Sequence, residues 1–577
     1  MAHVKPVRTF PPPSPWRLES HTLGALPVVN HFLDRLQLES LLGRYVAHRN
    51  RRLRLPPATA LALLLRNVLL GRAPVYALEE WATPIEPAQL RLTAAQISLL
   101  NDDRVGRALD ELFDADRASL LTEVVVRAVQ EFGIDLQQLH NDSTTVTFSG
   151  DYRGATRETV RRGQRTLAIT HGHNKDHRPD LKQLLFILTI SADGAVPVHY
   201  RAADGNTTDD QTHIHTWDTL RELVGRADFL YVADSKLCTR EALTHIAAHG
   251  GRFLTVLPRT RREDRWFRDW VQTHTPHWQE VRRAPHPRHH DGAPDIYRVT
   301  DSPIRSAEGY RIVWVYSSLK AEQDQRTRQG RIEKGILALE ALETRLRAPR
   351  CRFRTRAAVA ERAASALTAA GAERWVTFTI EERRDDTFRQ TRRGRPGPYT
   401  SYVRRERRRF GLHWQPQVDH IDYDAHTDGM FPLISNCEEL RGAELLAKYK
   451  YQPQLEKRHE QLKTVHAVAP VFLKSVARIE ALLFIYFLAL LLDALIEREM
   501  RRAMQTAHIE SLPLYPETRL CRAPTTDRLL DLFRDLQRHA LYVGPRPMQV
   551  FHPNLSDLQT QVLHLLGVPN SAYTVGR

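Results

Sequence analysis

Three textures of hydrophobic and polar positions follow one another along the chain. From Gly24 to Gly133 apolar residues recur every three to four positions, the spacing of helices with one buried face. Pro56-Pro57 opens the apolar stretch Ala58–Leu70 and Gly71 closes it. Arg104–Phe113 and Ala118–Phe132 repeat the spacing, and Gly133 stops the second. Proline in a first turn and glycine after a last one mark helix ends. Residues 1–16 are proline-rich and lack this spacing. The pattern predicts an all-helical N-terminal domain over 1–133.

The texture then shifts toward strands. Leu136–Phe148 is rich in Thr and Val and runs to Gly150, the composition of a strand. Leu184–Ile190 and Val196–Tyr200 are apolar runs joined by Ser191-Ala192-Asp193-Gly194-Ala195, a hairpin signal. Asp209–Val224 predicts a helix, Phe229–Ala233 a short buried strand, Thr239–His249 a helix and Phe253–Leu257 a further strand. Three meander strands followed by alternating helix and strand give an α/β fold, a mixed sheet flanked by helices, over 134–258.

Residues 259–425 break this rhythm with strand-like pieces (Ile312–Tyr316, Trp375–Ile380), a helical piece (Ile332–Leu346) and a dense arginine run. They predict an inserted α+β domain. Over 426–505 the core texture returns, as a strand at Asp428–Asn436, a helix at Glu438–His466 and strong helical patterning after it. Residues 506–577 predict a helical tail with one clear helix, Thr525–His539. The most apolar run, Ala481–Leu492, lies between Glu480 and Asp493. It is shorter than the about 20 residues that span a bilayer, so it predicts a buried core helix and no membrane partner.

Composition narrows the partners. The 577 residues allow several domains. Lys and Arg number 83 against 68 Asp and Glu, a net +15. That surplus points to a polyanion, nucleic acid first. Cys238, Cys351, Cys437 and Cys521 are far apart with no paired spacing, which excludes a zinc ribbon or a disulfide scaffold and fits a reducing cytoplasm. The N-terminal residues carry no apolar secretory segment.

Acids at strand ends carry the candidate chemistry. Asp142 sits inside the first predicted strand, where a carboxylate has poor propensity and needs a partner. Asp234 follows Phe229–Ala233, and ligands of open sheets gather at carboxyl ends of strands. Should these two strands be neighbours, the carboxylates face one another and repel unless a cation lies between them. Mg²⁺ suits that place because it takes hard oxygen ligands. The alternative roles are an N-capping Asp234 and a turn-bonding Asp142. The third acid comes from a helix that Pro453 opens. Glu456 lies in its first turns and shares a face with Lys463, seven residues on. Carboxylate for metal beside ammonium for phosphate suits phosphodiester chemistry. Glu460 is the rival ligand on that face, and a solvated charged face is the alternative.

Four segments together resemble the DDE transposases of bacterial insertion sequences, in the group whose RNase H-like core is interrupted by an insertion domain before the catalytic Glu. They are Asn141-Asp142-Ser143-Thr144-Thr145, Gly172–Leu181, Val232-Ala233-Asp234-Ser235, and the spaced set Tyr449, Gln452, Glu456 and Lys463. Gln452 stands where the family carries Arg. The resemblance spans about residues 130–500. It implies an RNase H-like core and a metal site of Asp142, Asp234 and Glu456 holding two Mg²⁺ ions, for which Mn²⁺ can substitute. It further implies contacts of Tyr449, Gln452 and Lys463 with DNA ends, and a helical N-terminal domain that binds those ends. The implied reaction is cleavage at terminal inverted repeats of double-stranded DNA and joining to target DNA, by a homodimer in the bacterial cytoplasm at the nucleoid. Two other readings remain open, a DNA-binding protein of this fold without catalysis and an RNase H-like nuclease without strand transfer.

Two further features bear on DNA. Arg389–Arg409 is dense in arginine, and its Arg393-Gly394-Arg395-Pro396 resembles an AT-hook core that lies in a narrow minor groove. Arg393 and Arg395 are the expected contacts, with a solvated loop as the alternative. Trp266, Trp270, Trp278, Trp314 and Trp375 fit core packing better than base stacking. His171, His173 and His177, with no cysteine nearby, predict a polar loop beside the site rather than a zinc centre.

Overall fold

The computed structural model describes residues 16–46, 53–208, 210, 212–286, 292–348, 351–468 and 473–574; all but the last residue of the proline-rich segment 1–16 lies outside them. The chain forms two compact units, one of residues 1–254 and 449–577, the other of 255–448.

The first unit begins with strand β1 (Trp16–Thr22), which the helical spacing does not predict, and continues through helices that include Pro57–Leu70, Asp102–Asp114 and Arg117–Phe132. Their ends follow local chemistry. Asn101 Oδ1 accepts from Arg104 N at 2.9 Å, and Asp116 Oδ1 accepts from Ser119 N at 3.0 Å, each satisfying a first-turn donor. Gly133 closes the last helix at φ 61°, a left-handed cap that glycine adopts without steric cost.

Five strands then build a mixed sheet: β2 (Gln138–Phe148), β3 (Lys182–Ser191), β4 (Pro197–Asp204), β5 (Leu230–Ala233) and β6 (Arg252–Val256). Their order is β4-β3-β2-β5-β6. β2, β3 and β4 form an antiparallel meander, while β5 runs parallel to both β2 and β6. This is the α/β arrangement that the alternation predicts. The helix before β5 starts later than the sequence suggests, at His213 after Thr212.

The second unit holds β7 (Gln279–Ala284), β8 (Asp295–Asp301), β9 (Arg311–Ser317), β10 (Val376–Gln390), β11 (Tyr402–Pro416) and β12 (Met430–Ser435). β12 pairs antiparallel with β9, which pairs with β8 and through it with β7. The unit includes the strand Met430–Ser435. Helices Ser318–Arg347 and Arg356–Ala370 bury Leu339, Leu342, Leu346, Val359 and Leu367 against Phe410 and Leu412 of β11. Trp314 is buried against Phe267, ring centroids 4.0 Å apart.

The arginine run is an ordered hairpin of β10 and β11 rather than a loop. Cross-strand ion pairs hold it beyond the core, Arg404–Asp386 at 2.6 Å, Arg409–Asp385 at 2.7 Å and Arg384–Glu406 at 3.3 Å. Its turn carries Arg393 and Arg395, both exposed.

The first unit resumes with the helix Gln452–Glu460, a π-helical turn Gln461–Val465 and the long helix Val476–Thr506. The predicted single helix Glu438–His466 is thus broken, with Gly442–Tyr449 separate. Val476–Thr506 is long and apolar enough to cross a membrane, yet its apolar window is wholly buried within the fold, against the Pro57–Leu70 and Asp102–Asp114 helices and β4. The tail departs from the helical expectation. Its helix Thr526–Asp531 stops early, and β13 (Gln537–Val543) pairs with both β1 and β14 (Arg546–Phe551).

Candidate active site

All three predicted acids belong to the first unit. β2 and β5 run parallel with Gln138 opposite Leu230 and Asn141 opposite Ala233. One residue further, this register sets Asp142 opposite Asp234. Neighbouring strands lie about 4.8 Å apart, so two carboxylates are brought together where β5 ends. The condition left open by the sequence, that the two strands be neighbours, is met. Both local roles are present as well. Asp234 Oδ1 accepts from Lys236 N at 3.0 Å, and Asp142 Oδ1 accepts from Ser143 N at 2.7 Å.

The Gln452–Glu460 helix docks on the face of β2 that presents His140 and Asp142, since alternate strand residues share a face. Gln452 is buried and braces the helix. Its Oε1 meets His140 Nδ1 at 2.8 Å and its Nε2 donates to Asn141 O at 3.3 Å. The amide oxygen only accepts, so Nδ1 of His140 carries the proton and Nε2 accepts from Gln138 Nε2, 2.8 Å away. The structure thus places Gln452 inside the fold rather than on a DNA-facing surface. Two turns on, His459 Nδ1 lies 3.8 Å from Asp142 Oδ2. Glu456 falls between these two anchors and is exposed.

Tyr449 reports how close the acids are. Burial, and then the negative charges of Asp234, Glu456 and Asp142, push its hydroxyl up to about 12. A phenol held against ionisation by three separate carboxylates lies in the locale that all three share. Tyr231, beneath Asp234 on β5, is raised by burial and by Asp234.

The Gly172–Leu181 loop, whose contacts no periodicity announces, reaches the first of the acids. Lys175 Nζ lies 3.2 Å from Asp142 Oδ1, 2.6 Å from Ser143 O and 2.8 Å from Ser143 Oγ. The next residue, Asp176, takes Lys463 Nζ at 2.6 Å. Adjacent side chains of opposite charge therefore clip β2 to the turn after the Gln452–Glu460 helix. Asn174 shapes the loop by accepting from Asp176 N at 2.8 Å and Arg178 N at 3.2 Å, and it donates to Gln183 Oε1 at 2.9 Å. Gly172 has no room for a side chain, because a Cβ there would meet Gly205 O at 2.0 Å. The three histidines do mark a polar loop beside the acids, but its working residues are the lysine and aspartate between them.

The donors suit a divalent cation in kind, three carboxylates with hard oxygens in one locale. Among the described residues no three His, Cys, Asp or Glu side chains stand at ligating distance, and in this arrangement the ammonium of Lys175 supplies Asp142 with its counter-charge. Arg393 and Arg395 belong to the second unit.

A domain of unknown function (DUF4277) matches residues 18–126. The match begins within β1 and ends within the Arg117–Phe132 helix, so it covers most of the predicted N-terminal domain and none of the acids. No curated protein matches the chain.

Proposed function

We propose that this chain is a DDE transposase, an enzyme that cuts DNA at the ends of an insertion sequence and joins the freed 3′ ends to target DNA. The observation that carries the reading is the register of β2 and β5, which sets Asp142 against Asp234, with the Glu456 helix docked on the same face. The sheet order supports it, because the expected core of three meander strands followed by two parallel ones is the arrangement seen.

Asp142, Asp234 and Glu456 are the residues that would hold Mg²⁺, which when bound activates the attacking hydroxyl and offsets charge on the leaving oxygen. The protein's own part is positioning. Tyr449 stays protonated at neutral pH, so it can donate a hydrogen bond to a phosphate oxygen. Lys175 pairs with Asp142 and Lys463 with Asp176, and either ammonium can turn to a DNA phosphate when its carboxylate partner is engaged elsewhere. The arginine hairpin adds backbone contacts through Arg393 and Arg395.

The test combines the purified chain, Mg²⁺ or Mn²⁺, a target plasmid and a labelled duplex bearing the inverted repeat that flanks its gene. Cleavage at the repeat end followed by joining is expected. Cleavage without joining would make the chain a nuclease, and binding alone would make it a DNA-binding protein; either defeats the proposal.

Lys175 offers a separate check. A partly exposed ion pair contributes about 0.2–1 kcal/mol, and a cation must displace this one to reach Asp142. Lys175→Met should therefore tighten Mn²⁺ binding by up to about 5-fold, read by calorimetric titration without DNA. Unchanged or weaker binding would show that Lys175 does not compete for the site.

A further inference from the structure

A cavity lies in the first unit, away from the three acids. It has a volume of about 600 Å³ and lies beside β4, the outer strand of the meander, walled by the start of the Arg117–Phe132 helix, the His213–Val224 helix and Phe484. Tyr200 turns to the long helix, its ring 5.0 Å from that of Phe487. His199 and Arg201, on either side of Tyr200 along the strand, therefore point the opposite way, toward His215.

The acids of this region are committed. Glu480 accepts from Leu167 N at 2.8 Å and pairs with Arg117 at 3.4 Å. Asp116 caps its helix on Ser119. Asp204, the one acid that favours the charge on Arg201, is held by Arg157 Nε and Ala168 N, both at 2.8 Å. Arg201 and His199 are not committed. Among the described residues no carboxylate pairs with Arg201, and its buried Nη1 has no hydrogen-bond partner. His199 is 6% exposed and its Nδ1 likewise lacks one. Burial and the neighbouring His215 and Arg201 hold its imidazole down to about 4. Buried donors without acceptors are costly and rare. Arg201 Nη1 is such a donor, and His199 Nδ1 is a buried ring nitrogen that can carry the one proton of a neutral imidazole; on the wall of a cavity whose acids are all in use, they call for an anion from outside.

We propose that this cavity binds a phosphate group through Arg201 and His199. The planar guanidinium suits a tetrahedral oxyanion. The phosphate can come from a small molecule or from a DNA backbone, and the test separates the two.

Melting of the full chain is followed with inorganic phosphate and with chloride at equal ionic strength, for the wild type, Arg201→Gln and His199→Gln. In chloride, Arg201→Gln should melt no lower than the wild type, because it removes a half-buried charge that no carboxylate pairs with. In phosphate the wild type should melt higher, and both variants should lose that gain. If the phosphate belongs to DNA, the gain is absent and Arg201→Gln instead reduces the salt slope of duplex binding by about 0.9. The proposal is overturned if neither a phosphate-dependent gain nor a change in slope appears. It is equally overturned if the variants melt lower by the same amount in both buffers, which marks packing alone. The outcome does not depend on whether the three acids are catalytic.

Discussion

Alanine at Asp142, Asp234 or Glu456 should each lower strand cleavage by about 10³-fold or more, which is at least about 4 kcal/mol of transition-state stabilisation, and leave duplex affinity intact. The reason is the difference between holding a metal and holding DNA. The acids repel a polyanion, so losing one weakens nothing that binds DNA and can tighten it a few-fold. The fold should tolerate the changes, because Asp142, Asp234 and Glu456 all keep solvent contact. Asn at Asp142 or Asp234 and Gln at Glu456 keep shape and remove charge, and should be as inactive as Ala. Cysteine at Asp234 offers a sharper check. A thiolate prefers softer ions, so part of the activity should return with Mn²⁺ and none with Mg²⁺. Cleavage gels and fluorescence anisotropy of the same protein samples decide the matter. Loss of affinity together with activity would make the acids structural.

Legibility in the sequence follows the range of the interactions. Asp142 and Asp234 stand out because buried apolar runs define their strands, and a polar residue inside or just after such a run needs an explanation. Glu456 stands out because Pro453 fixes a helix start. Lys175 and Asp176 do not, since a loop without periodicity gives no hint of what it touches. The small sheet of β1, β13 and β14 is hidden for another reason. Ser20 and His539 are 519 positions apart and 2.8 Å apart in space, and no local pattern announces such a pairing. Its effect is large enough to convert Gln537–His539, helical by spacing, into strand. The arginine hairpin misleads because strands are read from alternation, whereas Arg404, Arg409 and Arg384 are held by cross-strand acids. The same logic applies to Gln452. In place of a cationic residue that would reach out, the amide fits inside and fixes the helix to His140.

Arg458→Ala should destabilise the first unit by about 3 kcal/mol, toward the lower end of the 3–5 kcal/mol typical of breaking a buried ion pair. Arg458 and Glu497 are 3.0 Å apart with side chains 5% and 7% exposed. The same guanidinium donates to Ala195 O at 3.0 Å, Gly194 O at 3.2 Å and Gln461 Oε1 at 2.8 Å. It thereby joins the catalytic-helix candidate to the β3–β4 turn and to the long buried helix. Removing it strands Glu497, though Arg501 at 3.4 Å and Thr526 N at 3.2 Å remain to soften the loss. Lysine keeps the charge but cannot spread it over those acceptors, so Arg458→Lys should recover only part of the stability. Replacing both partners by Met removes the stranded charge and should recover more than either single change. Urea unfolding of the three variants measures this directly. Activity should follow stability for Arg458→Ala, whereas Glu456→Ala, two residues earlier on the same helix, should lose activity with its unfolding midpoint unmoved. That separation distinguishes a residue that places the helix from one that works on its surface. Equal midpoints for Arg458→Ala and the wild type would mean that the buried pair does not hold the helix in place.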